Sequence, residues 1–156
     1  MEAEALRSTL NLFALNDTDE APSDEQLALH AREQYRESGI PEIEPDALVA
    51  AHLDGDERLL WSAGQAIVRR VEIGEDSRTV VSEEGPLYVT DSRLLHFGSR
   101  MESIGLLDID ELSMADDRIL VTLVGSRGLT LDVENPHQLR VLIAAAKAAR
   151  RLQAEG

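Results

Sequence analysis

Cysteine is absent from this chain. No disulfide, thiolate nucleophile or cysteine-ligated zinc or iron–sulfur centre can be built from it. Aromatic residues make up only 3% of the 156 positions, so a core must be assembled from Leu, Ile, Val and Ala. Positive charge is scarce. Fifteen basic residues face 30 acidic ones, for a formal net charge of −15, and Lys147 is the single lysine. The arginine bias reads as that of a GC-rich genome, with salt adaptation as the second reading. No apolar run approaches the ~20 residues that span a bilayer. The opening Met-Glu-Ala-Glu-Ala lacks the basic stretch of a secretory signal, so a cytoplasmic protein is expected.

Reactive constellations are missing too. His30, His52, His96 and His137 are scattered, without the His-x-x-x-His spacing of a helix-borne zinc site. Ser62, Ser82 and Ser126 lack a Gly-x-Ser-x-Gly setting, and the glycines form no phosphate-binding loop. The pairs Asp54/Asp56 and Asp108/Asp110 offer carboxylates, but not the further spaced oxygens and terminal glutamate of a calcium loop. They read as turn carboxylates. The expectation is a non-enzymatic protein with no cofactor and no metal.

The charge is unevenly placed. Residues 1–57 hold 15 acidic and 3 basic side chains, net −12, whereas residues 58–156 hold 15 and 12, net −3. The acidic third repels nucleic acid and anionic membranes at long range. The basic residues around 140–151 have no aromatic partners for base stacking. No nucleic-acid partner is expected.

The acidic third also carries helical signals. Ala3, Leu6, Leu10 and Phe13 fall on one face of a helix over residues 2–15, which either packs on the domain or docks a partner. A polar break containing Pro22 follows. Ser23 with Gln26 is a capping box, Asp24 and Glu25 suit a helix start, and Gly39 with Pro41 ends the helix. Asp46 to Leu53 reads as two further helical turns with Leu48, Val49 and Ala51 inward.

From Arg58 the period becomes two. Strands are expected at 58–63 and 66–73 around a turn at Gly64, then at 78–82, broken by Glu83-Glu84-Gly85-Pro86. Next come 87–90 and 93–97 as a hairpin over Asp91-Ser92, then 103–109, 111–115, 118–124 and 129–133. Turns fall at Gly74-Glu75-Asp76, Asp116-Asp117 and Gly125–Gly128. Many short strands with close turns imply an antiparallel barrel or sandwich. Trp61, in the first strand, reads as core or as a plug at the barrel edge. The closing helix is the best-marked element. Asn135 is its expected N-cap, Pro136 sits at N1, and Gln138 completes the box. Leu139, Leu142, Ile143 and Ala146 form its apolar stripe, with Leu152 near the end. Lys147, Arg150 and Arg151 lie at its C-terminal end.

Three stretches carry a family resemblance. Asp56-Glu57-Arg58-Leu59-Leu60-Trp61 is similar to a Gly-Glu-x-Ile-Leu opening strand. Gly85-Pro86-Leu87-Tyr88-Val89-Thr90-Asp91-Ser92-Arg93-Leu94-Leu95 looks like a Leu-x-Leu-Thr-Asn-x-Arg-Leu-Leu hairpin. Ile104-Gly105-Leu106-Leu107-Asp108-Ile109 is similar to an Ile-x-Leu-x-Asp-Ile strand. These resemble the bacterial and GRAM-type members of the pleckstrin-homology-like (PH-like) superfold. The resemblance implies a mainly β (α+β) domain at residues 55–153: an antiparallel barrel or sandwich capped by a C-terminal helix. Residues 1–54 then form an acidic helical extension. It also implies a binding scaffold for lipid headgroups, peptides or other domains. Membrane-binding members gather Lys and Arg around the first strand pair, and the matching residues here are Arg69, Arg70 and Arg78. They stand beside Glu72, Glu75 and Asp76, which departs from that pattern. The expected function is therefore a protein- or peptide-binding module, able to self-associate through a strand edge, with lipid-headgroup binding as the alternative. Arg93, just past the hairpin turn, is expected to reach back to a carboxylate or carbonyl, with a ligand role as the second reading.

Overall fold

The computed structural model describes residues 22–73, 78–125 and 127–155, with only the backbone of 71–73. The helix expected over 2–15, the turn at 74–76 and Ser126 lie outside the described residues.

Helix α1 (Asp24–Ser38) starts and ends where its signals stand. The Ser23 hydroxyl accepts from the Gln26 N–H, and the Gln26 side chain accepts from the Ser23 N–H. Gly39, at φ 78°, lets the chain leave the helix while its N–H still bonds the Tyr35 carbonyl. Ala28 and Ala31 are the buried positions, packed against Val141. α2 (Ala47–Ala50) is a single turn capped by Asp46, shorter than expected. Only Val49 of its apolar residues is buried, while Leu48 stays 43% exposed.

Seven strands follow: β1 (Leu59–Ile73), β2 (Arg78–Thr90), β3 (Arg93–Phe97), β4 (Met101–Gly105), β5 (Ile109–Ala115), β6 (Arg118–Leu123) and β7 (Arg127–Asp132). They make one antiparallel sheet in the order β4-β3-β2-β1-β7-β6-β5. Two expected interruptions are absent. The chain runs straight through Gly64, and straight through Gly85-Pro86, giving strands of 15 and 13 residues. The two sites face each other. A register shift in β1 between Ala63 and Ala66 lies opposite Leu87 and Gly85. Pro86 sits at this bulge, where a missing ladder donor is tolerated. Gly85 is required by space: a Cβ there would stand 2.0 Å from the Phe97 carbonyl oxygen. The bulge lets β1 bend and serve both halves of the sheet, pairing β2 along its length and β7 only over Ile67–Arg70.

Of the expected barrel or sandwich, the sheet is the open, sandwich-like form and does not close into a barrel. β4 and β5 are its two edges and do not pair. The residues between them curl into a 3-10 turn, Leu106–Asp108, instead of extending one strand over 103–109. Leu106 is fully buried there, in the core that α3 (Pro136–Glu155) closes from outside. Leu139, Leu142, Ile143 and Ala146 of α3 are all buried, as their spacing predicts, and Leu152 is exposed. The core they meet is aliphatic: Leu60, Val68, Leu87, Val89, Leu94, Ile109, Ile119, Val121 and Leu131, with Trp61 packed at its margin. At the β5–β6 turn, Asp116 and Asp117 both have positive φ, as a tight type I′ hairpin demands.

The start of α3 is not capped by the Asn135 side chain. Its orphan N–H groups, on His137 and Gln138, donate to the carboxylate of Asp24, at 2.7 and 3.0 Å. The residue that opens α1 thus caps the last helix, 113 positions away. No helix among the described residues is long and apolar enough to cross a membrane.

Candidate functional site

The three arginines singled out from the sequence line one cleft of about 860 Å³. It opens between the outer ends of β1 and β2 on one side and β6 and β7 on the other, with β4 along its flank. Alternation along β1 places them. Ala66 and Val68 face the core, and Arg70 continues that face to the point where the core gives way to the cleft. Arg70 Nη1 donates to Glu102 Oε1 at 2.7 Å, and Glu83 lies 3.9 Å from Nη2. Arg69 points to the other face and meets Asp132 at 3.3 Å, a carboxylate it shares with Arg118. The described partners are long-range acids on β2, β4 and β7.

Arg78 begins β2 and Arg127 begins β7. Both are exposed, and neither forms an ion pair among the described residues. Arg127 was legible only as part of a turn, because the fold alone brings that turn beside Arg78. The floor between them is apolar. Val80 is 64% exposed, Val124 60%, and Leu120 and Leu123 complete it. Among the described residues, four arginines and two carboxylates, Glu102 and Asp108, line the cleft. Among the described residues the lining holds hydroxyls on Ser103 and Thr130 but no histidine. What the cleft offers chemically is charge, apolar area and the outward edge of β4.

Arg93 lies elsewhere, in a network that holds the hairpin. Its guanidinium donates to both oxygens of Glu57 at 2.9 Å and to the His52 carbonyl at 2.7 Å. Thr90 and Ser92 also donate to Glu57. Burial pushes the Glu57 carboxyl up. The hydrogen bonds from Arg93, Thr90, the Asp54 N–H and Ser92 outweigh it and hold the pKa at about 2. Nearby, Asp46 accepts from the Tyr88 hydroxyl at 2.7 Å; burial and this bond push the phenol up to about 12. His96 is buried, with Nε2 bonded to the Ala66 carbonyl. Among the described residues no group of three or more His, Asp or Glu is gathered as metal ligands.

No family model matches this chain, and no curated protein matches it. Solved structures with a similar course include the C-terminal domain of an unknown protein from Leishmania infantum, 17% identical, TM-score 0.40, covering 58% of this chain and 84% of that one. Dcp1p is 8% identical, TM-score 0.44, with 74% and 92% covered. The linker-DH/PH domains of p115-RhoGEF are 12% identical, TM-score 0.39, with 83% and 41% covered. None is close enough to bring a function with it.

Proposed function

We propose that this chain is a non-enzymatic interaction module of PH-like fold, and that its basic cleft binds an acidic, partly apolar peptide segment of a protein partner. The observation that supports this is the pairing of exposed Arg78 and Arg127 with an exposed aliphatic floor, beside the unpaired edge of β4. An extended segment laid along that edge gains main-chain hydrogen bonds, places alternate apolar side chains on Val80 and Val124, and turns carboxylates toward the arginines. Self-association through the same edge is a variant of this reading.

Lipid-headgroup binding is the second reading, favoured by the cluster of Arg69, Arg70 and Arg78. It is weaker because Asp132 and Glu102 already engage Arg69 and Arg70, and because the whole chain is repelled by an anionic surface.

Selection of phage-displayed random peptides on the full chain tests both. Enrichment of sequences mixing Asp or Glu with aliphatic residues is expected. Arg78→Ala with Arg127→Ala should weaken binding by about tenfold, roughly 1.4 kcal/mol. Failure to enrich any such peptide, together with salt-sensitive co-sedimentation on phosphatidylserine vesicles, overturns the peptide reading in favour of lipid.

A further inference from the structure

A second basic groove, of about 390 Å³, lies between α1 and α3. Arg32, Tyr35 and Arg36 stand on one wall; Arg140, Ala144 and Ala148 stand on the other. No carboxylate is among the described residues that line it. The chain holds 30 acidic side chains for 15 basic ones, yet none of these three arginines forms an ion pair with a described residue. Arg140 Nε is shielded from solvent and has no hydrogen-bond partner. That state is unfavourable, and the side chain leaves it by turning outward to a bound anion.

Spacing sets the form of that anion. Asp24 bonds the first turn of α3, so the two helices start level. Ala28 and Ala31 on Val141 keep them side by side, running in the same direction. At about 1.5 Å per residue, Arg140, Arg32 and Arg36 then lie about 4, 12 and 18 Å along the pair. The intervals, about 8 and 6 Å, are close to the roughly 6 Å between helix positions four apart. A small anion meets two of the three arginines at most, whereas carboxylates on successive turns of another helix meet them all.

The apolar surface follows the same line. Arg140, Ala144, Ala148 and Leu152 form one row along α3, each four positions from the last. Ala144 and Ala148 are exposed and small, so a second helix can pack closely on them. Leu152, 70% exposed, ends that row, and Leu29, 61% exposed, stands one turn before Arg32 on α1.

We propose that this groove docks an amphipathic helix of a protein partner, about three turns long, with Asp or Glu on successive turns beside an aliphatic stripe. The chain's own residues 3–13 do not fit that description, since they carry one acid, Glu4, and one base, Arg7. The net charge of −15 opposes approach at long range, where salt screens it; the arginines act at contact.

A phage library of helical peptides, randomised at surface positions of one fixed helical scaffold, is selected on the full chain. Enriched sequences should carry two or more acidic residues three or four positions apart, next to Leu, Ile or Val. Arg32→Ala with Arg36→Ala should weaken the best of them by about tenfold, and so should the exposed change Ala148→Glu. Arg78→Ala with Arg127→Ala should leave the affinity within about twofold, which separates this groove from the cleft between β1 and β7. Failure to enrich such peptides, binding that survives the changes in the groove, or binding lost with Arg78 and Arg127 each overturns the proposal. So does a dimer in sedimentation equilibrium that Ala148→Glu dissociates, which gives the groove to a second copy of the chain.

Discussion

Glu57 keeps only 3% of its side chain exposed, yet it is held ionised by one guanidinium, two hydroxyls and a backbone N–H. Its pKa of about 2 lies below the ordinary 4.5. Above the ordinary value the network contributes its full stability; that contribution fades as pH falls toward 2. Glu57→Gln should cost about 3 kcal/mol at neutral pH. In urea denaturation the gap between wild type and variant should narrow from pH 4.5 downward, and a gap independent of pH would show that the charge is not what matters. The residue scale is also where the sequence was most readable. Arg93 was expected to reach a carboxylate or carbonyl, and it reaches one of each. That the carboxylate is Glu57 was not legible, because 36 positions separate them and only strand pairing closes the distance.

At the scale of elements, local signals and long-range partners divide the work. The capping box of α1 and the apolar stripe of α3 lie within a few neighbouring residues, and both stand as expected. The cap of α3 depends on a remote partner. Asn135 is a good N-cap type, but the Asp24 carboxylate arrives with a full charge at the positive end of the helix and takes two of its orphan donors. Asp24→Ala should therefore destabilise the protein by about 1–2 kcal/mol. It should also raise amide exchange in the first turn of α3, whereas Asn135→Ala should leave that turn protected. Equal effects of the two changes would return the cap to Asn135. The same logic explains the strands. Gly64 and Gly85-Pro86 read as breaks because each is a breaker by itself. Placed opposite one another across a bulge, they are accommodated without ending either strand.

For the whole molecule, stability rests on one aliphatic core shared by an open sheet and its covering helix. Ile143 is fully buried against that core. Ile143→Ala should cost about 2–5 kcal/mol and lower the thermal midpoint accordingly. A loss under about 1 kcal/mol would mean that α3 is not the cover of the core. α1 belongs to the same body through Asp24 and through Ala28 and Ala31 on Val141, and α2 through Val49 on Leu59, Tyr88 and Leu95.

Composition and short-range pattern by themselves determined the aliphatic core, the absence of cysteine chemistry, the two-residue period of the sheet region, and the closing helix with its buried face. These are properties of single residues and of neighbours a few positions apart. They are written in the chain because helix and strand repeats are short. Tertiary structure alone decided that the sheet stays open between β4 and β5, that Asp24 caps α3, and that Arg127 joins Arg69, Arg70 and Arg78 around an exposed apolar floor. The last two join residues dozens of positions apart. Their meeting depends on the order and register of the strands and on a bulge that turns β1 from one half of the sheet to the other, and no local pattern encodes that geometry.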